Sequence, residues 1–241
     1  PSGFSLLLLV LLVQPLRIFK SCDTIWSSNT FRPFAPMAQT IHIDFEEVSY
    51  WNEIQEIFNW SRCHVWSTIY ICWAAQAGLY QHYQIPKYKL DKKMFGVFKH
   101  KTLDATNPIF RGFDDVFYAP HSRHTEVRRE DILKNKELKL IAEAEDAGVY
   151  MVEARNGREF YIMGHSEYSP NTLRDEYFRD LNNGLPIEIP RNYFKDDDPQ
   201  KEPLVRWRSH GNLLFVNWLN YFVYQQTPFN INDISGEGCP I

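Results

Sequence analysis

Three side chains in this sequence could form a nucleophilic centre. The stretch IYICWAAQAGLY places Cys72 between a run with the β-branched, aromatic bias of a strand and one with the alanine and leucine content of a helix. A thiol at that junction faces the free N–H groups and positive dipole end of the helix. These favour a thiolate and can stabilise the oxyanion of a tetrahedral intermediate. The competing reading is an inert buried thiol, since free cysteines are among the most buried residues. A base changes the balance. The stretch EFYIMGHSEY carries His165 and Glu167 two residues apart, just past a second strand-like run. In extended backbone, residues i and i+2 project to one side, so the imidazole can reach a reactive centre while the carboxylate orients it. GHSE alone equally suits a surface turn. With Cys72 it completes a Cys-His-Glu set in chain order, the constellation of covalent catalysis.

The elements that must hold these residues follow from periodicity. FEEVSYWNEIQEIFNW spaces Val48, Trp51, Ile54, Ile57 and Phe58 as an amphipathic helix ending near Trp60. HVWSTIYIC then reads as a strand, WAAQAGLYQHY as a helix, IPKYKL as a loop and MFGVFKHK as a strand. The proline-bearing KTLDATNPIFRGFDDVFYAPHSRH reads as loop with short pieces. LKLIAEA, GVYMVEA and EFYIMG are strands, the last two joined by a two-residue turn at Asn156-Gly157. TLRDEYFRDLNNG is a helix closed by Gly184, and NLLFVNWLNYFVYQQTP a final aromatic helix stopped by Pro228. Helices and strands in this order predict an α/β layered fold with a mainly parallel sheet.

Composition narrows the class. The 241 residues are 44% hydrophobic and 23% charged, a globular balance with length enough for a sizeable core. A formal net charge of −4 gives no electrostatic case for a nucleic-acid partner. Four cysteines, Cys22, Cys63, Cys72 and Cys239, show neither a disulfide framework nor a metal spacing, which points to a reducing cytoplasmic setting. The start is different in character. Residues 6–13 form an unbroken apolar run, as long as the core of a secretory signal but short of a membrane span. No basic residue precedes it, so a signal, a misread gene start and a buried strand all remain as readings. No membrane partner is expected.

Several blocks carry a resemblance that runs in order from about residue 45 to residue 229: ICWAAQAGLY, KMFGVFKH, RGFDD, PHSRHTEV, GHSEY, LRDEYFRD, IPRNYF, DDDP and LLFVNWLNYFVYQQTP. Together they resemble the homoserine O-acyltransferases of bacterial methionine biosynthesis. The resemblance implies a flavodoxin-like fold similar to class I glutamine amidotransferases, with helices on both sheet faces. It implies that Cys72 takes an acyl group from acyl-coenzyme A, that His165 is the general base toward L-homoserine, and that Glu167 orients the imidazole. It further implies Lys93, Ser122 and Arg179 as substrate-binding residues, Arg179 as the clamp on the amino-acid carboxylate. Read without the resemblance, Lys93 is a solvated neighbour of Lys92, Ser122 a turn residue and Arg179 half of a helical ion pair with Glu176 or Asp175. The implied protein is a cytoplasmic homodimer with acyl-coenzyme A as co-substrate and no metal or further cofactor. Arg111, Asp114, Asp115, His121, Arg123 and His124 read as a hydrogen-bonded network shaping the site floor, without a metal-ligand spacing.

The first 34 residues depart from the family pattern, so the domain is expected over residues 35–241. The family's longer leading segment supplies the first strands of the sheet and part of the oxyanion hole, and nothing here matches it. The fold is therefore expected to lack those strands, and the chain to be less active than a full-length parent. The family's acyl-selecting segment, GAPxE or GAPxG, is echoed as FAPMA at residues 34–38, with Ala38 at the deciding position. The downstream blocks favour acetyl over succinyl. A glutamine amidotransferase-like hydrolase and an inactive remnant remain as alternatives, although Ile71 and Trp73 flank the cysteine where a G-x-C-x-G elbow would have small residues.

Overall fold

The computed structural model describes residues 10–13 and 44–228. Its sheet comprises β1 (Val10–Val13), β2 (Val65–Ile71), β3 (Tyr88–Thr102), β4 (Val116–Glu126), β5 (Leu138–Ala144), β6 (Gly148–Ala154) and β7 (Glu159–Ile162), ordered β1-β2-β7-β6-β5-β3-β4. The helices are α1 (Trp51–His64), α2 (Trp73–Tyr83), α3 (Arg129–Lys134), α4 (Thr172–Asn182) and α5 (Arg208–Asn217). None is long and apolar enough to cross a membrane.

The α/β layering matches the expectation, but the strand directions do not. Among the described strands only β2 and β7 pair in parallel; every other pairing is antiparallel. The cause lies in the connections. β5, β6 and β7 follow one another through short turns, which oblige neighbours to reverse, whereas a parallel pair needs a long crossover. The crossover between β2 and β7 contains α2, the β3–β4 pair, α3 and the strands β5 and β6. The β6–β7 turn spans residues 155–158, two residues longer than expected, with Arg155, Asn156 and Gly157 at positive φ. A Cβ on Gly157 would stand 2.3 Å from the Phe222 ring, so the turn is also a packing surface.

Two further expectations fail for local reasons. β3 begins at Tyr88, where a loop was expected, and β4 runs through PHSRH, where Pro120 argued against a strand. β4 is the last strand in the sheet order, and an edge strand tolerates a residue without an N–H. The final helix stays α-helical only to Asn217; residues Trp218–Tyr224 continue as a π-helix.

Alternation along the central strands builds a core on each sheet face. Tyr70 and Tyr161 pack with Phe58, Trp73 and Leu79 under α1 and α2. Ile69, Ile71, Phe160 and Ile162 turn to the other face, against Leu214, Trp218 and Phe222. The two parallel strands are buried on both sides, and their carboxyl ends emerge together at one rim.

Candidate active site

Cys72 sits between β2 and α2 with φ 53° and ψ −112°, a conformation that L-residues rarely hold. Such strain persists only where surroundings enforce it, and here they do. The Cys72 N–H donates to the Ile162 carbonyl at 2.7 Å, extending the parallel ladder by one bond, and its carbonyl accepts the Gln76 N–H at 3.1 Å. The chain must turn from strand to helix within one residue, which thrusts the half-buried thiol out at the rim. The N–H groups at positions 73–75 precede that first helical bond and remain free to meet an oxyanion.

His165 follows β7 at the same rim. Its backbone N–H donates to the Pro120 carbonyl at 2.8 Å, so the proline that obscured β4 supplies an anchor. The side chain is buried, Nδ1 lies 2.6 Å from Glu167 Oε1, and the ring is electrostatically coupled to Cys72. With Nδ1 engaged by the carboxylate, Nε2 is the nitrogen left for another partner. Burial disfavours charge on this ring, but the negative charges of Cys72 and Glu167 outweigh it, and its pKa is pushed up to about 10. Tyr168 stacks on the imidazole at 4.1 Å and 15°, a face that favours a cation. A cleft of about 350 Å³ borders the Glu167 side, walled by Tyr168, Trp207, Arg208 and Phe215.

The other three candidates converge on a carboxylate that the sequence marks only as an ion-pair partner of Arg179. Glu176 of α4 accepts from Lys93 Nζ at 2.7 Å and from Ser122 Oγ at 2.8 Å. Arg179 lies 3.8 Å from Glu176 and 2.7 Å from Asp180, and Asp180 is 3.6 Å from Lys93. β3, β4 and α4 thus each contribute to one cluster of alternating charge. The signal for Glu176 was its position three residues before Arg179, one helical turn away. Tyr168 and Pro120 carried no sequence signal, because a ring stack and a backbone carbonyl are products of the fold.

The expected floor network divides in two. Arg111 donates to the Tyr221 hydroxyl and Asp114 lies 3.3 Å from His210, toward the surface. His121 and Arg123 are buried beneath the site, where Arg123 Nε donates to His121 Nδ1. Cys63 is exposed on α1. The FAPMA segment, most of residues 1–34, Cys22 and Cys239 lie outside the described residues.

The fold has solved counterparts. A glutamine amidotransferase from Thermotoga maritima aligns over 76% of this chain and 75% of its own, with TM-score 0.52 and 11% identity. One from Methylobacillus flagellatus aligns over 75% and 72%, with TM-score 0.53 and 9% identity. At such identities the likeness defines the fold alone, that of class I glutamine amidotransferases. The family is defined by sequence. The homoserine O-succinyltransferase family profile matches residues 35–229, and the chain belongs to that family. Homoserine O-acetyltransferases of Bacteroides fragilis (strain YCH46) and Bacteroides thetaiotaomicron are 72% and 71% identical over 200 residues, 83% of this chain. The matched region spans 65% of the length of each of these relatives. The enzyme of the same name from Clostridium acetobutylicum is 59% identical over 189 residues, 78% of this chain and 63% of its own length.

Proposed function

We propose that this chain carries the reaction centre of a homoserine O-acetyltransferase that moves an acetyl group from acetyl-coenzyme A to the γ-hydroxyl of L-homoserine. The Cys72 thiolate attacks the thioester carbonyl, and the first-turn N–H groups of α2 hold the oxyanion. Collapse forms acetyl-Cys72 and expels the coenzyme A thiolate, which takes the proton from His165. The neutral imidazole then accepts the γ-hydroxyl proton as homoserine attacks the acetyl carbonyl, and the Cys72 thiolate leaves beside a regenerated imidazolium. Glu167 keeps Nδ1 engaged throughout, so Nε2 handles the proton in both halves.

The observation that carries this reading is the strained Cys72 elbow at the same rim as a His165 that Glu167 holds at 2.6 Å. The adjoining cluster suits a zwitterionic amino acid: Arg179 and Lys93 meet its carboxylate, and Glu176 meets its ammonium. Acetyl rather than succinyl is supported by the names of the similar Bacteroides enzymes. The protein works in cytoplasmic methionine biosynthesis, with acyl-coenzyme A as co-substrate and no metal. Exposed Val216, Leu219 and Tyr224 beside α5 support a homodimer contact.

Initial rates of coenzyme A release with homoserine and each of the two donors test the proposal. Faster turnover of acetyl- than succinyl-coenzyme A is expected. A preference for succinyl would reverse the donor assignment, and glutamine hydrolysis without acyl transfer would replace the reading altogether.

A further inference from the structure

β4 buries a guanidinium whose hydrogen bonds meet no carboxylate. Arg123 is 3% exposed. Nη1 donates to the Thr125 carbonyl at 2.7 Å, Nη2 to the Ala147 carbonyl at 2.6 Å, and Nε to His121 Nδ1 at 3.3 Å. A cation taken out of water without a paired anion is costly, so a balancing charge is to be sought nearby.

The histidines below it do not supply one. Because His121 Nδ1 accepts from Arg123, its proton lies on Nε2 and is donated to His100 Nε2, 3.0 Å away. Burial pushes His100 down to about 3 and His121 well below the ordinary imidazole range, so both rings are neutral.

Arg123 instead connects to both halves of the triad. The Thr125 carbonyl it binds also accepts from Gln76 Nε2 at 3.3 Å, while Thr125 Oγ1 donates to Gln76 Oε1 at 2.8 Å. Gln76 is the residue whose backbone N–H binds the Cys72 carbonyl. On the other side, His121 packs under Gly164, where an added Cβ would stand 2.9 Å from Nε2. Its neighbour Pro120 holds the His165 N–H. The groups facing Arg123 and His121 are Cys72 from the β2–α2 turn, His165 after β7, Tyr150 from β6, His100 from β3 and Glu126 from β4. Burial lowers the guanidinium pKa, and of the two anions that oppose this, Cys72 acts more strongly than Glu126. A thiolate, an imidazolium and a carboxylate leave one net negative charge, and a guanidinium cancels it.

We propose that Arg123 is the buried counter-charge of the Cys72–His165–Glu167 triad, its charge set between the two segments that carry the triad. The inference rests on the triad reading above. Arg123 touches no reacting atom; it is a positioning residue acting through its charge.

The test is the pH dependence of Cys72 alkylation by iodoacetamide, followed by peptide mass, with exposed Cys63 as the internal reference. In the unsubstituted chain Cys72 outpaces Cys63 at pH 6. In Arg123→Gln the Cys72 rate at pH 6 falls by about tenfold, with little change at pH 9, the effect of losing a nearby opposite charge. Arg123→Lys keeps the charge but not the hydrogen-bond pattern, and retains the native profile while melting lower. An unchanged profile in Arg123→Gln overturns the proposal. So does a lysine variant that loses its reactivity at pH 6, and that variant decides the matter if the glutamine variant does not fold. If Cys72 is no faster than Cys63 in the unsubstituted chain, the triad reading itself fails, a result distinct from either.

Discussion

His165 lies between two negative groups in a buried setting, which makes its charge a reporter of the site. Its folded-state pKa, about 10, exceeds the ordinary value of 6.5. The stability it contributes is therefore complete below pH 6.5, declines above it, and is gone once pH has risen through about 10. The thermal midpoint of the native chain should exceed that of His165→Gln at pH 6, and the gap should close by pH 10.5. A gap that is constant with pH contradicts the charged pair. Glu176 gives a second residue-level prediction. Glu176→Gln should raise KM for homoserine by about tenfold, the loss of one charge-assisted hydrogen bond, and leave KM for acetyl-coenzyme A within twofold. Equal effects on both would remove Glu176 from the amino-acid subsite. The His165–Glu167 contact was legible from residue type and spacing because the two residues are close in sequence. The convergence of Lys93, Ser122 and Arg179 on Glu176 was not, since three elements far apart in the chain create it.

Among the elements, β3 and α1 each carry a contact that fixes the frame of the site. At Gly96 the backbone adopts φ 141°, and a Cβ would stand 2.4 Å from the Arg191 carbonyl oxygen. That segment bonds to β3 on both sides, Val97 N–H to Arg191 C=O at 2.8 Å and Arg191 N–H to Phe95 C=O at 3.0 Å. Gly96→Ala must push backbone apart and should cost about 1–3 kcal/mol in denaturant unfolding. A neutral result would mean the segment is loosely held. At the opposite end of β7, buried Glu159 accepts from Arg62 at 2.7 and 3.0 Å and from the hydroxyls of Tyr83 and Tyr161. Burial would raise its pKa, but these donors and the Arg62 charge hold it down at about 2. Its stabilisation is present above pH 4.5 and lost as pH falls through about 2. Arg62→Met leaves that carboxylate with only Arg155, 3.2 Å away, as a charge partner and should cost about 3 kcal/mol at pH 7. Calorimetry should also show much of the loss recovered in the double variant with Glu159→Gln. These elements were legible where periodicity was strong, as in α1, or where composition was, as in the alanine- and leucine-rich α2 and the strands β5–β7. β4 was obscured by Pro120, whose missing N–H matters only where a neighbouring strand needs it.

For the molecule as a whole, topology explains why sequence-distant groups meet. The β2–β7 pairing is parallel, and it alone brings the Cys72 turn and the His165 segment to one rim, though 93 positions separate the two residues (165 minus 72). The layered class was legible from the alternation of helices and strands. Strand direction was not, because it depends on how the connections order the strands rather than on the residues within each strand. The central claim, that Cys72 carries the acyl group, is open to one direct measurement: the intact and peptide masses of the protein after brief exposure to acetyl-coenzyme A without homoserine. One added acetyl group on Cys72 is expected, absent in Cys72→Ser and discharged when homoserine is supplied. An acetyl group on Cys63, or one that persists in Cys72→Ser, contradicts the account.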